Sequence, residues 1–146
     1  MSRNSRVAAL RALEPIAAWR DDCDRIARLE SAFTRALEAG DVAEAQALFA
    51  KYRSSLERHL AHEEDATFPE AERRAPSQGG PIRSLRVAHM RIREDLAQID
   101  DLLGKGLIPA VRPVWLAFRD GFAAHERLED QLVDLLLQLG RDAPPG

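Results

Sequence analysis

Cysteine is almost missing from this chain of 146 residues: Cys23 stands alone, so no disulfide can form within it. A reducing, cytoplasmic setting is the matching expectation. Long apolar runs are missing as well. The longest span a handful of residues, too few for a membrane helix, and the arginines at 3, 6 and 11 precede no stretch suited to a signal peptide. There is no surplus of positive charge: 21 Lys and Arg against 24 Asp and Glu give a net charge of −3, so neither nucleic acid nor an anionic membrane is an expected partner. No stretch alternates in the manner of a strand, and no histidine precedes position 59.

What is present reads as helix. A composition of 45% hydrophobic and 31% charged residues is that of a soluble globular protein, and the length suits one domain over residues 1–146. Residues 1–14 are weakly patterned, and Pro15 suits the first turn of a helix. From there Ile16, Trp19, Cys23, Ile26, Glu30, Phe33 and Leu37 recur at steps of three and four, which makes one apolar stripe with a single charge. Gly40 ends that helix, and Asp41 with Glu44 forms a capping box for the next. The second stripe is Ala45, Leu48, Tyr52, Leu56, His59, Glu63 and Ala66, with Pro69 expected to end or kink the helix near Phe68. Ala75 to Pro81 reads as the main loop. The third stripe is Ile82, Leu85, His89, Ile92, Leu96, Ile99 and Leu103, stopped by Gly104-Lys105-Gly106. The fourth begins near Pro109 or Pro113 and runs Val111, Val114, Phe118, Phe122, His125, Glu129, Leu132, Leu136 and Leu139, before Gly140 and the Pro144-Pro145 tail. Four long helices with short connections predict an all-α, antiparallel, up-down four-helix bundle over about residues 14–140.

Stripes that face a bundle core should be aliphatic or aromatic. These also hold His59, Glu63, His89, His125 and Glu129. His59 and Glu63 are four residues apart, as are His125 and Glu129, so each pair projects from one helix face. A buried carboxylate without a partner is costly, and two facing each other repel; a cation between them removes both problems. Imidazole with carboxylate suits iron, manganese or zinc. One such pair is common by chance, and one core histidine is commonly just hydrogen-bonded. Two pairs, a third histidine and a repeated interval carry the metal reading: Cys23 to His59 is 36 residues, and so is His89 to His125. Equal intervals predict these four positions in one layer of the bundle. His62 is off the stripe and reads as surface, Tyr52 as core, and Glu30 as the partner of an arginine.

Other chemistries find no support. His62-Glu63-Glu64-Asp65-Ala66 lacks the second histidine of a zinc-protease helix. The residues three before His59, His89 and His125 are Leu56, Arg86 and Phe122, so the Glu-x-x-His of ferritin-like di-iron proteins is missing. There is no Ser-His-Asp arrangement and no Gly-rich phosphate loop.

In this arrangement the chain resembles the hemerythrin-like, or HHE cation-binding, family. His59/Glu63, His89 and His125/Glu129 match its motifs in order and spacing, and Glu63-Glu64 followed by Phe68-Pro69 is similar to its acidic pair and Phe-Pro. The resemblance implies a four-helix bundle with a non-haem di-iron centre whose two glutamates bridge the irons. It implies work in O2 or NO sensing, iron handling, or a stress response. The chain departs from the family on helix one, where Cys23 occupies the histidine position. A thiolate there would soften the site toward zinc or thiolate-bound iron. Alternatively Cys23 is an inert core residue that leaves five protein ligands, or Asp22 supplies a carboxylate. Arg93 stands where the oxygen carriers have a further histidine, which counts against reversible oxygen carriage. Three functions remain open: a metal-binding sensor or stress protein, a metal-dependent oxidoreductase of the peroxide type, and a helical module with a degraded or structural metal site. Whether the chain is an enzyme is left open, and a homo-oligomer is compatible with any of the three.

Overall fold

The computed structural model describes the backbone of residues 3–142 and the side chains of residues 18–142. It contains four long helices: α1 (Arg3–Ala39), α2 (Val42–His62), α4 (Gly79–Gly104) and α5 (Ile108–Asp142). A short α3 (Phe68–Arg74) lies between α2 and α4. No strand occurs among the described residues, so the all-α bundle expected from the four stripes is the fold. α1 packs on α2, α4 packs on α5, and α2 packs on α4. No helix among the described residues is long and apolar enough to cross a membrane.

The turns follow the expected chemistry. Gly40 takes φ 68° and ends α1, with Gly40 N–H on the Leu37 carbonyl and Asp41 N–H on the Ala36 carbonyl. Asp41 caps α2 by accepting from Glu44 N–H at 3.1 Å. Gly106, at φ 69°, turns the chain between α4 and α5.

Three boundaries differ from expectation. α1 begins at Arg3 rather than at Pro15, because the preceding residues are mostly Ala, Leu and Arg, all strong helix formers. The Ile16 side chain and the Pro144-Pro145 tail lie outside the described residues. The expected loop at 75–81 is mostly helical: a 3₁₀ turn covers Pro76–Gln78, and α4 starts at Gly79 with Pro81 in its first turn. At the end of α2 the backbone widens into a π-helical turn, Glu63–Thr67, before α3 starts with Pro69 in its first turn. The extra residue in that turn shifts the register. Ala66 is therefore exposed, and Phe68 and Ala71 are buried in its place.

Two apolar clusters result. The larger holds Phe33, Phe49, Tyr52, Leu96, Trp115 and Phe118 with their neighbours; the smaller holds Phe68, Ala71, Ile82, Leu85 and Leu132. Along α4, Ile82 and Leu85 belong to one cluster and Ile92 onward to the other, with His89 between. Along α5, Phe122 and Leu132 belong to opposite clusters, with His125 and Glu129 between. From the end of α2 to the start of α3, Leu60 and Phe68 likewise bracket Glu63. The fold thus sandwiches one polar layer between two apolar ones.

Candidate metal centre

Among the described residues the buried polar side chains are Ser55, His59, Glu63, His89, His125 and Glu129, so five of these six are those singled out on the stripes. Each is held by the helical spacing that buries it. His59 and Glu63 come from the end of α2 and the first residue of the π turn, His89 from mid-α4, and His125 with Glu129 from α5.

The Nε2 atoms converge. His89 Nε2 is 3.1 Å from His125 Nε2 and 3.5 Å from Glu129 Oε1. Glu129 Oε1 also contacts His125 Nε2. His59 Nε2 is 3.4 Å from Glu63 Oε1, which is in turn 3.8 Å from His89 Nε2. Among the described residues, two groups have donor atoms within 4.8 Å of one another: His89, His125 and Glu129; and His59, Glu63 and Glu129. Glu129 belongs to both groups, so one carboxylate can serve two cations.

Cys23 belongs to neither group. Its Sγ lies 3.9 Å from His59 Nε2, and the residue is partly buried. Burial first, and then the acids Glu126, Glu63, Asp130 and Asp22, push the thiol up to about 12. In the metal-free protein it is therefore a neutral thiol. The two 36-residue intervals do appear as contacts: Cys23 with His59, and His89 with His125.

Burial dominates the electrostatics of this layer. Burial above all, opposed by the Trp19 N–H and reinforced by Glu126 and Glu64, pushes Glu63 up to about 8. Burial lowers His59 and His89. Burial, and then His89 and His59, push His125 down to about 4. Glu63 Oε1, His59 Nδ1 and His125 Nδ1 are buried without a hydrogen-bond partner. A buried oxygen of this kind, facing imidazole nitrogens, needs either a proton or a cation.

Three further side chains touch the layer. Trp19 Nε1 donates to Glu63 Oε2 at 3.3 Å. Asp22 Oδ2 lies 3.7 Å from His59 Nδ1 and pairs with Arg25. Glu64 meets His89 Nδ1 at 3.1 Å and Arg93 at 2.6 Å. Trp19 was legible as core, but not as a donor. His62 is exposed and Tyr52 is fully buried, as expected. Glu30 pairs with an arginine, Arg119, at 2.9 Å.

Comparison with protein-family models matches the hemerythrin HHE cation binding domain over residues 14–134. Comparison with curated proteins and with solved structures gives no match.

Proposed function

For a chain that belongs to the hemerythrin HHE cation-binding domain family, we propose that His59, Glu63, His89, His125 and Glu129 hold a pair of transition-metal ions, iron foremost, and that the protein works in O2, NO or iron handling. The observation that carries this reading is Glu63 Oε1, buried without a partner between the His59 and His89 Nε2 atoms. Five nitrogen and carboxylate donors in a buried layer fit iron, with manganese or zinc compatible.

When bound, iron would supply a redox-active cation with affinity for O2 and NO. The chain's own residues do the rest. His59 and Glu63 serve one side, His89 and His125 the other, and Glu129 reaches both. Trp19 holds the second oxygen of Glu63 in place, which leaves Oε1 for the cation. The Phe122 and Phe68 rings, 6.2 Å from His125 and 5.2 Å from His89, wall the site with apolar surface. On the α1 side the family's imidazole is replaced by Cys23, a thiol held neutral in the metal-free protein. That side therefore has one charged or basic donor fewer than the family pattern, and it is where a small gaseous ligand would approach.

The test is anaerobic loading with Fe(II) followed by exposure to air or to NO. Absorption bands should appear in the near-ultraviolet and visible in the wild type and be lost in His125→Ala. A colourless protein after iron supplementation would favour the structural-metal reading and overturn this one.

A further inference from the structure

Glu64 lies one residue past Glu63, inside the π turn, and three side chains from one face of α4 converge on it. Arg93 places two nitrogens on its carboxylate, Nη1 at 2.6 Å from Oε1 and Nη2 at 3.1 Å from Oε2. His89 Nδ1 is 3.1 Å from that same Oε1. Arg86 Nη1 donates to the main-chain carbonyl of Glu64 at 3.2 Å. That carbonyl needs an outside donor. In the wide turn Phe68 N–H bonds the Glu63 carbonyl, so the next donor in the pattern would be residue 69. Pro69 has no N–H to give. Positions 86, 89 and 93 are spaced by three and four, so a single helix face supplies all three groups.

We infer that Arg86, Arg93 and Glu64 form a positioning clamp that keeps His89 protonated at Nδ1, frees its Nε2 for the site, and braces the turn that presents Glu63. Arg93 has only donors to offer, so the carboxylate it holds remains an acceptor toward His89. His89 Nδ1 must then be the donor, and the lone pair of the neutral ring sits on Nε2. That atom faces His125, Glu129 and Glu63 at 3.1, 3.5 and 3.8 Å. The other two histidines are not held this way. The nearest acid to His59 Nδ1 is Asp22 at 3.7 Å, and His125 Nδ1 has no partner. His89 is therefore the pre-organised ring of the three. The clamp is also reachable without disturbing the core: the Glu64 side chain is 24% exposed and that of Arg93 37%, while that of His89 is 0%.

The consequence for metal rests on the reading of the layer as a metal site, but the tautomer belongs to the metal-free chain and can be read by itself. Long-range proton–nitrogen correlation spectra of ¹⁵N-histidine-labelled, metal-free protein at neutral pH report it. Zinc affinity, by competition with a chromophoric chelator, reports the consequence. Wild-type His89 should be the Nδ1–H tautomer. Glu64→Ala should lose that preference and bind zinc about 10–100-fold more weakly, as loss of a carboxylate behind a ligating histidine does. Glu64→Gln should keep the tautomer, because its amide oxygen still accepts, and should keep most of the affinity. Asp101→Ala removes the exposed pair of Asp101 with Lys105 at the far end of α4 and should change neither readout. An Nε2–H tautomer in the wild type, or a Glu64→Ala protein with the wild-type tautomer and zinc affinity within about twofold, would overturn the clamp. A wild type that binds neither zinc nor Fe(II) would defeat the metal reading alone, and the tautomer would still decide the clamp.

Discussion

Replacing Glu63 with glutamine keeps the shape of the side chain and an acceptor for the Trp19 indole, but removes the charge. The ordinary carboxyl ionises near 4.5, whereas burial holds Glu63 at about 8 in the metal-free fold. Below pH 4.5 both folded and unfolded chains are protonated at this position, and the wild type loses nothing. Between 4.5 and 8 the fold keeps a proton that the unfolded chain releases, so wild-type stability falls by about 1.4 kcal/mol per pH unit. By pH 7 that amounts to about 3 kcal/mol. Glutamine escapes this loss, at a cost of about 1 kcal/mol for a buried amide N–H left unpaired. The metal-free Glu63→Gln protein should therefore exceed the wild type by about 2 kcal/mol at pH 7, or roughly 4–8 °C in Tm. At pH 4 it should be slightly the less stable of the two. With metal the order at pH 7 should reverse, because ligand binding stabilises only the protein that keeps the carboxylate. Urea unfolding at the two pH values, with chelator and with iron, measures all four quantities. A Glu63→Gln protein that is less stable than wild type at pH 7 without metal would refute the argument, as would a difference that does not change with pH.

Cys23→Ala should leave metal content nearly unchanged and cost about 1 kcal/mol of stability if the thiol only packs; if Cys23 ligates, metal should shield it from alkylation and the alanine protein should lose metal. The deciding comparison is thiol modification of folded protein with and without metal. Trp19→Phe removes the donor to Glu63 and should weaken metal binding. In a Trp115→Phe background, iron should quench the remaining Trp19 fluorescence strongly, since its indole lies 3.3 Å from a candidate ligand; an unquenched Trp19 at full loading would count against the site. Arg119→Ala leaves Glu30, whose side chain is 18% exposed, without its partner. It should cost about 1–3 kcal/mol in urea unfolding, and Arg119→Lys should restore part of that.

The sequence reads most clearly where helical periodicity runs unbroken. All seven positions of the α4 stripe, from Ile82 to Leu103, are buried. His89 stands out there because a polar residue at a core position is visible against a regular background. The α2 stripe fails at Ala66 because the π turn adds a residue after His62, and no propensity rule marks such a turn. Phe49, Leu60 and Trp115 are buried although they lie beside the narrow stripes. Each helix here touches two neighbours and so buries a wider face than one seam. The five polar core residues were legible because burial of His or Glu contradicts the pattern around it. The contacts of Glu64 and Arg93 were not, because each sits on a polar rim where charge is ordinary; only the distance between α4 and the wide turn shows that Glu64 reaches His89 and that Arg93 holds Glu64. The Cys23 interval was legible as spacing. Whether sulfur ligates depends on protonation and reach, neither of which a spacing encodes.

Metal content per chain is the most direct test of the polar layer. Protein purified aerobically, without a histidine tag, from iron-supplemented cells should carry between one and two iron atoms per chain by elemental analysis, and both Glu63→Ala and Glu129→Ala should lose most of it. Well under one metal per chain in the wild type, or wild-type content in both variants, would contradict the claim that these five residues hold a metal centre.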